Sequence, residues 1–279
     1  MIHPTVSVII ATLDEAATID HVLEIARTDP RVVEVIVADG GSVDTTVDRV
    51  RVVASSDPRV RLVENPDRIQ SAGLNAAAEM ATGEVLVRLD AHTRYEHDYV
   101  TASIDAWRPG IAVGGPMTAE GDTPWERAIA AAMADPLAIG PARFHHAKRV
   151  EAVDTVYLGT FERRGFLELG GYRTFPSGTV EDTDFYTRWH ASGRTVWVDP
   201  SIRSWYRPRS TWRQLARQYL RYGRGKAELL WVNRRFPSFR PLAPALLIAG
   251  LVVGLVTGLV WSCLPLAILV SAWLAALVV

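Results

Sequence analysis

Apolar runs of strand length alternate with stretches of helical periodicity along the first part of the chain. "VSVIIAT", "VEVIVAD", "VRLVEN" and "EVLVRLD" are rich in β-branched residues, whereas "EAATIDHVLEIAR", "DTTVDRVRVVAS" and "IQSAGLNAAAEMA" space their apolar residues as helices do. The alternation predicts an α/β fold, a mainly parallel sheet flanked by helices on both faces. Ligands of such sheets bind outside the carboxyl ends of the strands, where loops converge. The polar residues of interest fall at those ends: Asp14 and Glu15 follow the first run, Asp39 closes the second, and Asp90 with His92 closes the fourth. The later half is less regular, with "IAVGGPM", "VDTVYLGTF" and "TVWVDP" as strand candidates and a long helix expected from about Thr211 to Arg234.

The C-terminal pattern is different in kind. Pro241 to Val279 contains no charged residue and no histidine in 39 positions. Crossing a hydrocarbon core of about 30 Å takes roughly 20 apolar residues, which "PLAPALLIAGLVVGLVTGLV" supplies; "WSCLPLAILVSAWLAALVV" is marginal once a turn near Ser262 to Pro265 is subtracted. A buried core helix is the alternative, but such helices rarely lack any polar face. A last segment that stops in mid-hydrophobic stretch reads either as the start of a longer natural chain or as a shallow hairpin. Arg234, Arg235 and Arg240 precede the first span, which places the body on the cytoplasmic side of a cell membrane.

Charge divides the chain further. Ile202 to Arg240 holds eleven Lys or Arg against Glu228 alone, so with a net charge of -1 the first 201 residues carry -11. The expected organisation is a catalytic domain over 1–201, a basic helical neck over 202–240 serving both site and membrane surface, and a transmembrane or hairpin segment over 241–279. At 48% hydrophobic and 22% charged residues the chain is neither disordered nor fibrous. The single cysteine, Cys263, excludes an internal disulfide and a cysteine zinc site, and the N-terminus reads as having no secretory signal.

In "RLDAHT", Asp90 offers a hard oxygen and His92 an imidazole, which Mn²⁺ accepts better than Mg²⁺ does. A divalent cation holding a nucleoside diphosphate needs only one or two protein ligands, since phosphates and water fill the rest. Taken alone, a satisfied loop aspartate beside an exposed histidine is the simpler account. Asp39, before the flexible "GGS", could bond a nucleobase or ribose; Asp44, at a helix start, is better read as a cap. No GxGxxG is present, so a nicotinamide-dinucleotide reading loses its main support. His145 and His146 are adjacent, a spacing that seldom serves one cation, and fit a polar acceptor loop better. Trp189, Trp197, Trp205 and Trp212 could stack on a sugar, with core packing expected for most.

In order and spacing, "VSVIIATLDEAATI", "VIVADGGSVDTT" and "NPDRIQSAGLNAAAEMATGEVLVRLDAHT" resemble the nucleotide-sugar half of family 2 glycosyltransferases with the GT-A (Rossmann-like) fold. The resemblance runs from about Val6 to Lys226 through "VDTVYLGTFERRGFLELGGY", "GTVEDTDFYTRWHASG" and "YRPRSTWRQLARQYLRYGRGK". It is strongest to the bacterial exopolysaccharide branch, the ExoA-like enzymes of succinoglycan biosynthesis, which also carry C-terminal membrane helices. The resemblance implies that Thr12, Glu15 and Asp39 line a nucleoside pocket, with Arg68 and Asn75 near the diphosphate or ribose. Asp90 and His92 would form the DxD-type element, Asp90 toward ribose and metal and His92 as a ligand of Mn²⁺ or Mg²⁺. Ala11 stands where the family usually has Pro, Asp14 where it has Asn, and His92 where it has Asp, which leaves metal identity open.

Inverting transfer needs a carboxylate to take the proton of the attacking hydroxyl, typically contributing about 10² to 10⁴ in rate. On a helix starting near Glu181 in "VEDTDF", Glu181 and Asp184 share a side while Asp182 turns elsewhere. The resemblance makes Asp182 the base; three acids attracted to a helix N-terminus is the plainer account. "QYLRY" resembles the family's QxxRW element, and Gln218, Arg221 and Tyr222 fall on one helical face. Arg213, Arg217, Arg221 and Arg224 form a basic stripe, worth about 1 kcal/mol per residue beside anionic membrane lipids. The expected function is a membrane-anchored inverting glycosyltransferase that moves sugar from a nucleotide-sugar, UDP-linked by first choice, to a polyprenyl-linked saccharide. No nucleic acid is among its expected partners. A polyprenyl-phosphate glycosyl synthase, whose acceptor needs no base, and a non-catalytic scaffold of a polysaccharide assembly are the alternatives.

Overall fold

The computed structural model describes residues 4–135, 144, 147–234, 243–260, 268 and 270–273. The four N-terminal apolar runs are strands β1 (Val6–Thr12), β2 (Val32–Asp39), β3 (Val60–Glu64) and β4 (Val85–Asp90), joined by helices Ile19–Ala26, Thr46–Ser56 and Gln70–Met80. They pair in parallel in the order β3-β2-β1-β4, as the alternation predicts. Successive side chains of a strand point to opposite faces. Val8 and Ile10 accordingly pack with Val22, Leu23, Tyr99 and Val100 on one face, while Ile9 packs with Leu74, Ala77 and Phe161 on the other. Both faces are covered, which is why these strands read as nearly unbroken apolar runs.

The second half departs from a purely parallel plan. Four further strands extend the sheet to eight: β6 (Ile111–Gly115), β8 (Glu151–Ala152), β9 (Tyr157–Glu162) and β10 (Thr195–Val198), in the order β3-β2-β1-β4-β9-β6-β10-β8. β9 lies antiparallel between β4 and β6, and β8 runs antiparallel at the edge. The chain enters β9 from the edge at which β4 ends, so its first residues join the strand-end loops. Gly159 there has φ 131°, and a Cβ on it would lie 2.1 Å from the Tyr186 hydroxyl, which donates to the Leu158 carbonyl at 2.7 Å. A smaller sheet, β5 (Arg94–Tyr95), β7 (Met117–Ala119) and β11 (Ser204–Tyr206), stands beside the same edge. Helix Pro124–Ala134 opens on a capping box in which the Thr123 hydroxyl accepts from the Glu126 amide and the Glu126 carboxylate from the Thr123 amide.

Helix Trp212–Asn233 matches the expected long helix to within a residue at each end. It docks by Gln218, Gly225 and Leu229, the last packed with Phe175 and Val180. Its Glu228 carboxylate accepts from the Ser177 amide (3.1 Å) and hydroxyl (2.6 Å), and Asn233 donates to Asp184 at 3.3 Å. Helix Ala243–Val260 is apolar but for Thr257, whose hydroxyl donates back to the Val253 carbonyl, and Leu246, Ile248, Val252, Val253, Leu255 and Val256 are exposed. Among the described residues no helix is long and apolar enough to cross a membrane. Arg235, Arg240, Cys263, His145, His146 and most of the second apolar stretch lie outside the described residues.

Candidate active site at the strand ends

Parallel pairing puts the ends of β1, β2 and β4 side by side: Thr12 is in register with Asp39, and Ala11 with Asp90. Thr12 is 5% exposed, and its hydroxyl has no hydrogen-bond partner among the described residues. A buried polar atom left without a partner at a loop edge is a vacancy a ligand can fill. Asp39 is also buried, and its carboxylate accepts from the Gly41 amide (2.8 Å), the Ser42 amide (2.9 Å) and the Ser42 hydroxyl (2.5 Å). It therefore builds the turn that it borders. Asp14, left-handed at φ 56°, joins the first two loops, its amide donating to the Ser42 hydroxyl and its carboxylate accepting from the Val43 amide. Asp44, expected as a cap, is instead the residue before the N-cap Thr45, which has no side-chain cap bond; its carboxylate accepts from the Thr46 and Ala16 amides and so ties the helix start to the first loop.

Arg68 and Asn75 occupy different surroundings. Arg68 is exposed and left-handed (φ 57°), its Cα 3.4 Å from where a Cβ on Gly40 would sit, and it forms no ion pair with a described residue. It borders the Asp39 turn. Asn75 instead straps helix Gln70–Met80 to the chain after Gly171: its amide group donates to the Tyr172 carbonyl and its oxygen accepts from the Tyr172 amide, both at 2.8 Å. Both ends of the Asn75 amide are thus engaged by the Tyr172 backbone.

Asp90 is 5% exposed and lies against Arg88, whose Nε donates to Oδ1 at 3.0 Å and Nη2 to Oδ2 at 3.4 Å. Burial alone would raise its pKa, but the Arg88 charge, reinforced by His92, holds it below the ordinary value. His92 is half exposed, with Nδ1 3.3 Å from a Glu15 oxygen. That contact, against the opposing effect of burial, raises its pKa. Among the described residues no three His, Cys, Asp or Glu side chains form a ready metal cage. The donor set nevertheless fits a cation bound mainly by phosphates and water: an ionised carboxylate, an imidazole and a nearby second carboxylate, Glu15.

Opposite these residues, helix Glu181–Ala191 starts after Val180, left-handed at φ 66°. Its three acids diverge. Asp184 is fully buried and paired with Arg188 (2.8 Å) and Arg173 (3.2 Å), a structural role. Glu181 turns to Arg88, its Oε1 4.0 Å from Nη2. Burial, then the Asp182 charge, push its pKa up to about 7 against the pull of Arg88. Asp182, half-buried, accepts from the Thr183 amide at 2.7 Å and acts electrostatically on Tyr172, Tyr222 and Lys226. On the long helix, Gln218 donates to the Tyr222 and Tyr206 hydroxyls at 2.9 and 3.0 Å. Arg221 is exposed without an ion pair to a described residue, and its carbonyl accepts from Thr179 at 3.4 Å. The shared face expected for all three thus holds Gln218 and Tyr222, with Arg221 flanking it. Of the tryptophans, Trp189 is fully buried in the core, whereas Trp212 is 64% exposed.

The family model "Glycosyl transferase family 2" matches residues 7–161. The succinoglycan biosynthesis protein ExoA of Rhizobium meliloti (strain 1021) is 32% identical over 243 residues, covering 85% of this chain and 73% of that protein. The chain belongs to glycosyltransferase family 2. Within this family it is also 24% identical, over 88% of its length and 82% of the relative's, to a Methanococcus voltae protein named dolichyl N-acetyl-alpha-D-glucosaminyl phosphate 3-beta-D-2,3-diacetamido-2,3-dideoxy-beta-D-glucuronosyltransferase. Its fold is that of the Pyrobaculum calidifontis mannosyltransferase PcManGT, solved with GDP-Man and Mn²⁺ (TM-score 0.64, 22% identity, 99% of this chain and 76% of that one). The GT-A-like sheet expected from sequence is therefore present.

For a family 2 glycosyltransferase the layout has two poles. Thr12, Asp39, Asp90 and His92 lie at one, Glu181 and Asp182 at the other, with Arg88 between them. Sequence reasoning passed over four charged residues: Arg88, Glu181 as a separate participant, Lys226, and Arg209, whose charge is felt at His92 and Tyr222. Arg88 had a signal, since a charged residue inside the apolar run "VLVRLD" must be paired once the strand is buried.

Proposed function

We propose that this enzyme transfers a sugar with inversion from a nucleotide-sugar, a UDP-sugar by first choice, to a hydroxyl of a lipid-linked saccharide in polysaccharide or glycan assembly. The observation that carries the reading is the convergence of the Thr12, Asp39 and Asp90 strand ends opposite the Glu181–Asp182 corner. Thr12 and Asp39 would border the nucleoside, with Glu15 and Arg68 beside it. Asp90 and His92 would hold Mn²⁺ or Mg²⁺, which when bound neutralises charge on the diphosphate. Asp182 takes the proton of the attacking hydroxyl, and the ammonium of Lys226 and guanidinium of Arg221 lie on the helix beside it. Gln218 and Tyr222, bonded to each other, would border the same site. The name of the Methanococcus relative, a sugar transferase acting on a lipid-phosphate sugar, supports a lipid-borne saccharide acceptor.

Membrane attachment belongs to the same proposal. Arg213, Arg217 and Arg224 are exposed and form no ion pair with a described residue, while Trp212, Tyr219, Leu220 and Trp231 on the same helix are exposed apolar groups. A helix with cations and aromatics outward suits an anionic interface. The uncovered apolar side chains of helix Ala243–Val260 would continue into the bilayer, with the catalytic body on the cytoplasmic side. The test is a screen of UDP- and GDP-sugars with membrane lipid extract and Mn²⁺ or Mg²⁺, scoring both sugar in lipid and nucleotide release. Metal-independent release, or none with any donor, refutes the reading. Retained transfer to polyprenyl phosphate by Asp182→Asn would point instead to a synthase whose acceptor is already ionised.

A further inference from the structure

We propose that Arg88 is a positioning residue that fixes the donor-side acid Asp90 and the acceptor-side pair Glu181 and Asp182 at a set separation across the cleft. The inference rests on the reading of Asp90 and Asp182 given above and deepens it. Arg88 and Asp90 are two apart on β4, so their side chains leave the same face of the sheet. The guanidinium meets Asp90 through Nε (3.0 Å) and Nη2 (3.4 Å), and the same Nη2 lies 4.0 Å from Glu181. One planar group, 5% exposed, therefore spans carboxylates belonging to the two poles of the site.

Two features separate this arginine from an ordinary buried ion pair. First, Nη1 is buried with no hydrogen-bond partner among the described residues, and the Nη2 contacts are long, so these neighbours do not saturate the cation. A side chain serving stability alone would have its donors met, because an unmet buried donor is costly. Second, its orientation is set from below. The guanidinium carbon lies 5.3 Å from the centre of the Tyr172 ring, and the Tyr172 backbone is gripped on both sides by Asn75 at 2.8 Å. Asn75 thus acts on the site at one remove, through the ring beneath Arg88. A lysine would keep the charge but not the rigid fork that reaches both acids.

The test is a cycle of Arg88→Lys, Glu181→Gln and the double variant in the full-length chain. Nucleoside diphosphate release is followed with UDP-glucose, UDP-galactose and GDP-mannose as donor probes, Mn²⁺ and lipid extract. Each single change is expected to lower kcat about 10- to 100-fold while the donor KM stays within about threefold, and the double variant to fall no more than about threefold below the worse single. Near-parental kcat in Arg88→Lys, or a double loss equal to the product of the singles, overturns the inference. Should Arg88→Lys not fold, Asn75→Ala is read in its place: a fall in kcat at constant donor KM supports positioning through Tyr172, and a raised donor KM overturns it. No release by the unaltered chain with any probe defeats the reaction proposed above and the inference with it. Full activity in Asp182→Asn defeats only the assignment of the base.

Discussion

Replacing Glu181 by glutamine should stabilise the protein in alkaline solution and do nothing in acid. Glu181 titrates at about 7 in the fold against an ordinary value of 4.5, because burial and then the Asp182 charge disfavour its ionised form more than Arg88 favours it. The folded state consequently binds more protons than the unfolded chain between pH 4.5 and 7. Stability from this group is fully present below pH 4.5 and is lost as pH rises through 7. At about 1.4 kcal/mol per pKa unit, the loss has a ceiling of about 3 kcal/mol. Glutamine keeps the shape without the charge. Its advantage should be near zero at pH 4.5 and reach about 2 to 3 kcal/mol at pH 8, a rise in melting temperature of about 5 °C or more. Tryptophan fluorescence melts of the full chain at pH 4.5, 6, 7 and 8 check this. Equal or lower stability of Glu181→Gln at pH 8, or a gain that persists unchanged at pH 4.5, would refute the argument that Glu181 is held in a desolvated, acid-flanked position.

Asp182→Asn should lower transfer about 10²- to 10⁴-fold while Mn²⁺-dependent nucleotide binding, followed by calorimetry, is preserved. Gly225→Ala puts a Cβ 2.2 Å from the Thr179 hydroxyl and 3.0 Å from that of Ser177, so the loop before Glu181 must shift; a loss of about 1 to 3 kcal/mol and a fall in kcat are expected from melts and turnover assays. Removing the charges of Arg213, Arg217 and Arg224 together should weaken binding to anionic vesicles about 100-fold at about 1 kcal/mol each, with sedimentation on neutral vesicles unchanged.

The strand-end pole was legible because its logic is local. A parallel α/β pattern places strand ends together, so polar residues at the ends of β1, β2 and β4 had to meet whatever the rest of the chain did. Thr12, Asp39 and Asp90 follow directly from register. What the pattern could not supply was occupancy: Asp39 spends its carboxylate on the Gly41–Ser42 turn, and Asn75 spends its amide on Tyr172. Neither choice leaves a trace in residue type or spacing. The antiparallel insertion of β9 was hidden for a related reason, since "VDTVYLGTF" reads as a strand in either direction and only the route of the preceding chain sets its sense. Helix Pro124–Ala134, by contrast, carried a readable start in "TPWE", whose Thr123 and Glu126 form the capping box.

The pole at the start of helix Glu181–Ala191 depends on contacts between distant elements. Glu181 and Asp184 differ by three positions on one helix, yet one ends against Arg88 of β4 and the other against Arg173 and Arg188 in the core. Helical spacing alone assigns them the same side. Their separation comes from these partners on different elements, and the long helix adds contacts beside them, Glu228 to Ser177 and Asn233 to Asp184. The basic stripe and exposed aromatics lie on this same helix. A rigid element that bonds the acid-bearing loop on one face and presents cations and Trp231 on another cannot be displaced at one face without moving the other. Under the function proposed above, the placement of Asp182 and the seating of the basic surface would both follow from one docking, that of Trp212–Asn233 against the loop from Phe175 to Val180.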